Sequence, residues 1–357
     1  GMLSIPSPES GGSVDILRNF INLPNDDDFI ILITYLLFSL QPAGPYPILI
    51  LQGEQGSAKS TFGKLIRFLL DPSSASLRTT PKNIQDLMIA AQNGWLLNFD
   101  NLSNLPPWLS DALCRLSTGA GFSTRKLYAN SEEAIFNACR PICLNGITEF
   151  ATRDDLLDRS LILKLPSIPD HKRKDEKTFW KEFELYRPKV LGALLDQLSL
   201  ALINLPSIHL SNYPRMADYA KFSTAIEIGM DWEKGAFMQA YEANRIHSVI
   251  MGIEADPVAQ AIRDWDIDKW EGTATDLLKE LGGLVDETIQ RSKAWPTTPN
   301  FLGNKIRRFI PPLRKLGIEI ELDRSGHEGT RLITISRSQI DTVSVVSKSH
   351  PPDLFAD

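Results

Sequence analysis

The chain is poor in cysteine and histidine, the residues that build disulfide frameworks and most zinc sites. Its cysteines, Cys114, Cys139 and Cys143, are an odd number in 357 residues, and its five histidines are scattered. This usage argues against a disulfide framework and favours a reducing compartment, so we expect a cytoplasmic protein with buried thiols. Because no histidine or further cysteine pair stands near Cys139 and Cys143, a structural zinc site is also disfavoured.

Long hydrophobic runs are missing too. The most apolar stretch, residues 29–40, is only about a dozen residues long and follows the charged run Asp26-Asp27-Asp28, whereas a membrane-spanning helix needs about 20 residues. We therefore predict a core helix there, no membrane span and no membrane partner. Residues 3–12 are too rich in Ser, Pro and Gly for a signal peptide. Residues 1–14 and 341–357 are predicted to be flexible ends.

Net positive charge is absent as well. The formal charge of −6 predicts no nucleic-acid affinity by itself. However, residues 298–337 contain eight basic side chains against four acidic ones, which leaves −10 for the remainder of the chain. The 43% hydrophobic and 23% charged composition is that of a globular protein, and the length allows two or three domains.

The sequence does contain a glycine-rich loop between a predicted strand and a predicted helix. Residues 46–52 form an apolar run typical of a buried parallel strand, and residues 62–70 have helical spacing. Strand, loop and helix follow the order of a phosphate-binding P-loop, in which backbone N–H groups wrap the phosphates of ATP or a similar nucleotide. The loop residues are Gly53, Glu54, Gln55, Gly56, Ser57, Ala58, Lys59, Ser60 and Thr61.

Three side chains are predicted to act beside these phosphates. Lys59 would pair with the β- and γ-phosphates, and Ser60 would hold Mg²⁺. A second predicted strand, residues 94–100, ends in Asp100, which we expect to be the carboxylate partner of the magnesium ion; a simple strand-end cap is the alternative. Ala58 departs from the usual pattern, in which glycine precedes the lysine, and its methyl group crowds the loop.

Further strands are predicted at residues 76–79, 140–145 and 160–166, alternating with helical stretches as a parallel sheet demands. The sequence therefore predicts an α/β fold over residues 15–166, with a five-stranded parallel sheet sandwiched by helices.

The order of these motifs resembles the AAA+ core, and more narrowly the superfamily 3 helicases and the helicase parts of phage and plasmid primase-helicases. The resemblance covers residues 15–166. It implies that Asn145, at the end of a strand, contacts the γ-phosphate and the attacking water; an ordinary strand-end turn is the alternative. Asn101 stands where hydrolysing members often carry a glutamate, which leaves the rate of hydrolysis open.

The resemblance also implies a ring in which an arginine of one subunit reaches the nucleotide of its neighbour. Arg159 stands at the matching position, and Arg153 is the second choice. For either arginine, a surface salt bridge to Asp154, Asp155 or Asp158 is the alternative.

A hairpin that grips DNA in the central channel is a further implication. Residues 124–130 and 133–136 would be its arms, and Arg125 and Lys126 would contact phosphates without regard to base sequence. Two adjacent basic residues are also common on any protein surface.

Residues 167–252 are predicted to form a helical lid, with helices at 177–186, 188–204 and 216–243. The mixed-charge run 171–177 is expected to be the solvated start of the first helix.

Residues 256–337 are predicted to form a winged helix-turn-helix, which resembles the C-terminal domain of many phage primase-helicases. Helices are expected at 257–266, 273–281 and 301–316, followed by a hairpin with arms at 318–322 and 330–335. We expect the third helix to turn its basic residues away from Phe301 and to be kinked or interrupted at Pro311 and Pro312. The predicted DNA contacts are Lys305, Arg307, Arg308, Arg324 and Arg331. Protein docking is the alternative for such a domain.

Three functions stay open. The leading hypothesis is an ATP- and Mg²⁺-dependent replication motor that forms a homo-oligomeric, hexameric ring on single-stranded or forked DNA, with any primase on a separate chain. The second is a nucleotide-controlled helicase loader or origin-binding regulator, and the third is a DNA-binding scaffold with an idle nucleotide site.

Overall fold

The computed structural model describes residues 1–125, 133–146, 150–151, 153–325 and 330–338. The chain divides into a first unit, Gly1–Ser248, and a second unit, Val249–Asp357. The helices and strands that begin before the division are α1 (Asp26–Ser39), β1 (Ile48–Gln52), α2 (Lys59–Leu70), α3 (Ile84–Gln92), β2 (Leu97–Leu102), α4 (Pro107–Thr118), β3 (Phe122–Arg125), β4 (Glu133–Phe136), β5 (Ile142–Gly146), α5 (Asp154–Leu157), β6 (Ser160–Lys164), α6 (Glu176–Asn204), α7 (Ala217–Met230) and α8 (Ala236–Glu254).

A parallel sheet of four strands, in the order β2-β5-β1-β6, lies at the centre of the first unit. Ile48 of β1 stands opposite Ile142 of β5 on one side and Ser160 of β6 on the other. Because the strands are parallel and in register, their carboxyl ends meet at one edge of the sheet. The sheet is flanked by helices, as in a P-loop-like fold, and the α/β prediction is confirmed at this level.

The prediction of a fifth strand at residues 76–79 is wrong. Arg78 alone makes a bridge to the sheet, opposite Phe99. Its N–H donates to Asn98 O and its carbonyl accepts from Asp100 N–H, both at 2.9 Å. Pro81 has no N–H with which to lengthen such a ladder.

Two helix boundaries also differ from the prediction. α6 continues through Pro188 without a break. The proline leaves the carbonyl of Glu184 without its helical donor, and this residue is exposed, so water can replace the bond. The predicted helix at 216–243 is two helices, because Asp231 (φ 54°) and Gly235 (φ 90°) adopt left-handed backbone between α7 and α8.

The helices expected to form a lid share one hydrophobic cluster with the sheet. Phe183 of α6, Tyr219 of α7 and Phe237 of α8 are fully buried in the cluster that contains Leu49 of β1. In the described part of the chain, one helix, Glu176–Ser207, is long and apolar enough to cross a membrane by length and composition alone. A core helix meets the same criterion.

The start of the chain, predicted to be flexible, is hydrogen-bonded to the first unit. Leu3 N–H donates to Pro72 O at 2.9 Å, and Glu9 N–H donates to Pro188 O at 3.0 Å. Gly192 permits this approach, because a Cβ there would lie 1.9 Å from Glu9 O.

The predicted hairpin between β2 and β5 corresponds to β3 and β4, which pair antiparallel with Phe122 opposite Phe136. The backbone of Arg125 lies at the end of β3, opposite Glu133. Lys126 lies outside the described residues.

The second unit combines helices with a three-stranded antiparallel sheet in the order β7-β9-β8. Its buried side chains include Ile262, Leu277, Ile306 and Ile333. β7 was not predicted from the sequence. The elements are α9 (Pro257–Asp264), β7 (Lys269–Thr273), α10 (Ala274–Leu284), α11 (Glu287–Gln290), α12 (Pro299–Lys315), β8 (Ile318–Ser325) and β9 (Thr330–Arg337).

The expected interruption of α12 at Pro311 and Pro312 is wrong, since both prolines lie inside the helix. The carbonyls that lose their donors belong to Arg307 and Arg308, which are exposed, so water can satisfy them.

Candidate nucleotide-binding site

The glycine-rich loop joins the buried strand β1 to the first turn of α2, and its backbone turns sharply. Gly53, Gly56 and Ala58 all have positive φ, of 153°, 85° and 63°. For the two glycines this conformation carries little strain, but for Ala58 the left-handed region is unfavourable by about 1 kcal/mol or more. The departure noted at Ala58 therefore has a backbone cost as well as an added methyl group.

Lys59 is braced by the loop itself. Its Nζ donates to Gly53 O and Glu54 O, both at 2.7 Å, and to Ser57 Oγ at 3.2 Å. Burial lowers the pKa of Lys59 below its ordinary value, and the nearby charge of Asp100 opposes this shift. The ammonium group is thus held at the loop, with only 8% of the residue exposed.

Asp100, on β2, accepts hydrogen bonds from two other elements at the edge where the strands end. Ser60 Oγ, on the first turn of α2, donates to Asp100 Oδ1 at 2.9 Å. Asn145 Nδ2, near the end of β5, donates to the same oxygen. Asn145 Oδ1 in turn accepts from the N–H of Asn101 at 2.9 Å. The predicted site residues Ser60, Asp100 and Asn145 therefore lie together beside the loop.

The oxygen atoms of Ser60 and Asp100 suit a magnesium ion, which prefers hard oxygen ligands. Among the described residues no group of three or more His, Cys, Asp or Glu side chains is placed to hold a metal by itself. In phosphate-transferring sites Mg²⁺ uses one or two protein ligands and completes its shell with phosphate and water.

Asn101 occupies a special backbone position. Its φ is 58°, and the pairing of β2 with β5 shifts register between Phe99 and Leu102, on either side of it. Asparagine tolerates the left-handed region better than other residues with a Cβ. Its side chain is exposed towards the same cavity as Asp100 and Asn145.

Of the cavities that border the loop, two share some of its residues. The smaller, of about 360 Å³, is lined by Lys59, Ser60, Asp100, Asn101 and Asn145 among others. The larger, of about 740 Å³, shares Gly56, Ala58 and Thr61 with it. Its other walls combine aromatic and basic side chains, namely Phe20, Phe62, Phe179, Lys172, Arg173 and Lys174.

Arg173 lies beside the loop and lines the larger cavity, although the sequence analysis did not name it as a candidate site residue. Its Nη1 pairs with Asp170 at 2.8 Å and its Nε donates to Ile168 O at 3.1 Å. This places Nη2 over Gly56, where a Cβ would lie 2.8 Å from it. The sequence did contain a clue to the position of Arg173. The mixed-charge run 171–177 follows a strand whose carboxyl end lies beside that of β1.

Arg159 lies in a cluster of charged side chains rather than beside the loop. It pairs with the carboxylate of Asp155 and donates to the Asp155 carbonyl at 2.8 Å. Arg215 pairs with Asp155 at 2.9 Å and with Asp158 at 2.6 Å. Burial raises the pKa of Asp155, but the bonds from Arg159 and Arg215 outweigh burial and hold it below its ordinary value.

Arg153, the second choice for an arginine acting between subunits, pairs with Asp111 at 2.8 Å. Within one chain both arginines therefore take part in salt bridges, although Asp111 is not one of the partners that the sequence analysis named for Arg153. The partner of Arg159 is one of the three predicted aspartates.

The predicted DNA contacts of the second unit differ in their exposure to solvent. Arg307, Arg308 and Arg331 are exposed. Lys305 is not: its side chain is 12% exposed and pairs with Asp256 at 2.7 Å. Its outward projection was predicted wrongly, because a sequence pattern on α12 does not reveal that Asp256, the N-cap of α9, faces it.

Phe301, expected to face the core, is 51% exposed. The side chain of Arg324 lies outside the described part of the chain, while its backbone belongs to β8 opposite Arg331.

The parallel sheet, the glycine-rich loop and the Asp100 cluster at its edge define a protein with a P-loop-like α/β fold. Residues 14–245 match the family described as actinomycete integrative conjugative element replication protein, and residues 258–348 match the C-terminal domain of that family, AICE RepA. The chain belongs to this family of replication proteins. Its role therefore lies in DNA replication.

Solved structures show a looser similarity. The apo C-terminal region of NrS-1 is 13% identical, with a TM-score of 0.44, over 93% of this chain and 78% of that chain. The inhibitor-bound JCV helicase is 14% identical, with a TM-score of 0.29, over 61% of this chain and 64% of that chain. No curated protein sequence matches this chain.

Proposed function

We propose that the chain is an ATP-dependent DNA helicase or DNA-remodelling ATPase of replication, which acts in the cytoplasm as a hexameric ring and hydrolyses ATP with Mg²⁺. Membership of a replication family supports the setting. The observation that carries the proposal is the convergence of Ser60 and Asn145 on one carboxylate oxygen of Asp100, whose charge acts on the Lys59 ammonium.

The smaller cavity would receive the β- and γ-phosphates. Lys59 would exchange its bonds to Gly53 O and Glu54 O for bonds to phosphate oxygens. Ser60 and Asp100 would hold Mg²⁺, which when bound neutralises charge on the phosphates. Asn145 would act next to the reacting phosphate, its carboxamide fixed by the Asn101 N–H.

The larger cavity would receive the nucleoside. Thr61, on the first turn of α2, lines both cavities, and the start of a helix there favours the anionic phosphates that join the nucleoside to the smaller cavity. Arg173 lies over Gly56 and would pair with a phosphate oxygen at the junction of the two cavities. Phe20 and Phe179, whose rings are 5.7 Å apart, would offer apolar contacts to the base.

Arg159 would complete the site of a neighbouring subunit. To do so its guanidinium must leave the carboxylate of Asp155, which Arg215 already holds. Because Asp155 keeps Arg215 as a partner, the exchange would not leave a lone carboxylate behind.

A nucleotide-controlled loader or origin-binding regulator is the second candidate. The observation that favours it is Asn101, which presents a carboxamide to the smaller cavity where a fast ATPase of the resembling kind often has a carboxylate. A carboxamide cannot accept a proton from water at neutral pH. Nucleotide would then control assembly, with slow turnover.

The deciding experiment measures ATP hydrolysis and strand displacement with and without single-stranded DNA. A motor should show DNA-stimulated hydrolysis and displacement, and Lys59→Ala should abolish both. Lys181→Ala, which removes an exposed lysine on α6, is the matched control and should behave like the wild type. ATP-dependent DNA binding without displacement would favour the regulator, and no hydrolysis above the Lys59→Ala background would exclude the motor.

A second experiment tests the shared site. Arg159→Ala should lose hydrolysis while nucleotide binding survives. Mixing it with Lys59→Ala protein should restore part of the activity, because some interfaces then combine an intact loop with an intact arginine. Absence of rescue would argue against a site completed by a neighbour.

A further inference from the structure

The second unit carries a helix surface that the nucleotide site does not use. α12 packs against the core through Leu302, Ile306, Phe309 and Leu313. Its other side is exposed and includes Phe301, Asn304 and Arg308. Residues separated by three, four and seven positions share one face of a helix, so these three side chains form a single line, here termed the α12 stripe.

The surroundings of the stripe are basic. α12 contains five Lys and Arg residues and no Asp or Glu. Lys305 is neutralised by Asp256 and Arg314 by Glu319, at 2.7 and 2.8 Å. Arg307 and Arg308 are exposed on the same helix, and their guanidinium groups favour a polyanion as partner.

The stripe also contains groups that attraction to phosphate does not need. An asparagine carboxamide adds no charge, and an exposed phenylalanine loses contact with water only when something covers it. Both groups match the edges of bases in the major groove: Asn pairs with adenine, Arg pairs with guanine, and an aromatic ring contacts the methyl group of thymine. The three residue types of the stripe thus cover three of the four bases.

Asn304 is held in place for such a contact. Arg307 Nη1 donates to Asn304 Oδ1 at 3.1 Å. The oxygen keeps a second lone pair, and both hydrogens on Nδ2 stay available. One carboxamide face can therefore accept from N6 and donate to N7 of an adenine while Arg307 restrains it.

We propose that the α12 stripe reads the base sequence of duplex DNA from the major groove, with Asn304 and Arg308 on base edges, Phe301 on a thymine methyl group and Arg307 as their support. The groove, about 12 Å wide, admits an α-helix. This deepens the proposed function by giving the replication protein its own means of choosing a site. It rests on the DNA-binding part of that function and not on ATP hydrolysis.

The test uses the full chain. Duplexes are selected from a random-sequence pool, and binding is then measured at one fixed salt concentration for the selected duplex and for a scrambled duplex of equal composition. The wild type should prefer the selected duplex by about a thousandfold or more. Asn304→Ala and Arg308→Ala should each lower that preference by about tenfold to a hundredfold.

Arg308→Lys separates base reading from charge. Lysine keeps the positive charge but lacks the planar fork that engages guanine, so the preference should fall while binding to the scrambled duplex stays near the wild-type value. Arg291→Ala is the matched control, because Arg291 is an arginine directly after α11 whose side chain is 80% exposed. It should leave the preference unchanged. Melting curves of all variants should match the wild type, since the side chains are exposed.

Three results would overturn the proposal: no shared sequence among the selected duplexes, an equal loss of affinity for both duplexes in Asn304→Ala and Arg308→Ala, or full retention of preference in Arg308→Lys. Lys59→Ala should keep the preference. A protein that selects a sequence but never hydrolyses ATP would therefore refute the motor and leave the α12 stripe standing.

Discussion

The side chain of Asn244 pairs with both backbone polar groups of Ile162. Its Nδ2 donates to Ile162 O at 2.6 Å, and its Oδ1 accepts from Ile162 N–H at 2.9 Å. Ile162 belongs to β6, the outer strand in the order β2-β5-β1-β6. A carboxamide on α8 thus takes the place that one peptide group of a further strand would occupy.

Replacing Asn244 by leucine should destabilise the first unit by about 2–4 kcal/mol, because two buried backbone groups lose their partners at about 1–3 kcal/mol each. Urea denaturation would measure the change. Gln239→Leu removes an exposed carboxamide from the same helix and should cost less than about 0.5 kcal/mol. Equal effects of the two substitutions would show that the pairing contributes little.

Ala58→Gly should stabilise the protein by about 0.5–1 kcal/mol. Relief of the left-handed strain at φ 63° outweighs the extra flexibility that glycine gives the unfolded chain. Thermal or urea unfolding would test this. Ala243→Gly, in the regular helix α8, should instead lose about 1 kcal/mol. A loss at position 58 as well would mean that the loop conformation carries no strain.

Asn101→Gly should be more stable than Asn101→Glu. Glycine fits φ 58° without strain, whereas glutamate at the same φ should lose about 1 kcal/mol. The backbone N–H that fixes Asn145 is present in both variants, so the comparison isolates the side chain. Hydrolysis rates measured on the same samples would show whether a carboxylate at this position speeds turnover. Equal stability of the two variants would contradict the backbone argument.

Asp28→Asn should remove a pH dependence that the free energy of unfolding has in the wild type. Burial, followed by the charge of Asp27, raises the pKa of Asp28 to about 6, while a hydrogen bond with Asn25 opposes the shift. The native state therefore holds a proton that the unfolded state releases near pH 4, and this contribution is lost as pH rises from about 4 to 6.

Above pH 6 the asparagine variant should exceed the wild type by about 1–2 kcal/mol, and near pH 4 the two should agree. Urea denaturation over this range would measure the difference. Asp196→Asn, on the exposed side of α6, is the control. A difference that stays constant with pH would show that Asp28 titrates normally.

Local patterns made the centre of the first unit predictable. The apolar run before Gly53 and the lysine after the loop mark a strand and a helix start. Asp100 and Asn145 could be brought together on paper because parallel strands end at the same edge. These inferences need only neighbours in sequence and one topological rule.

Other features depend on partners distant in sequence. Lys305 turns inward because Asp256 of another helix is there to receive it. The strand β7 forms where its backbone pairs with β9; it is only five residues long, has no fully buried side chain and contains Gly272, so its own sequence gives little strand signal. Helix α6 passes through Pro188 because the lost bond lies on the solvent side, which only the packed structure reveals.

The three hydrogen bonds from Lys59 to Gly53, Glu54 and Ser57 mean that this side chain stabilises the loop as well as carrying a positive charge. The loop is also bonded to the chain beyond β6, since Gly56 O accepts a hydrogen bond from Ile168 N–H at 3.2 Å. A phosphate that recruits the ammonium must therefore compete with carbonyl groups, and the affinity it achieves is the difference between two sets of bonds. The conformation of the loop and the binding of phosphate are therefore coupled through the amine of Lys59. The same loop is bonded to the chain beyond β6.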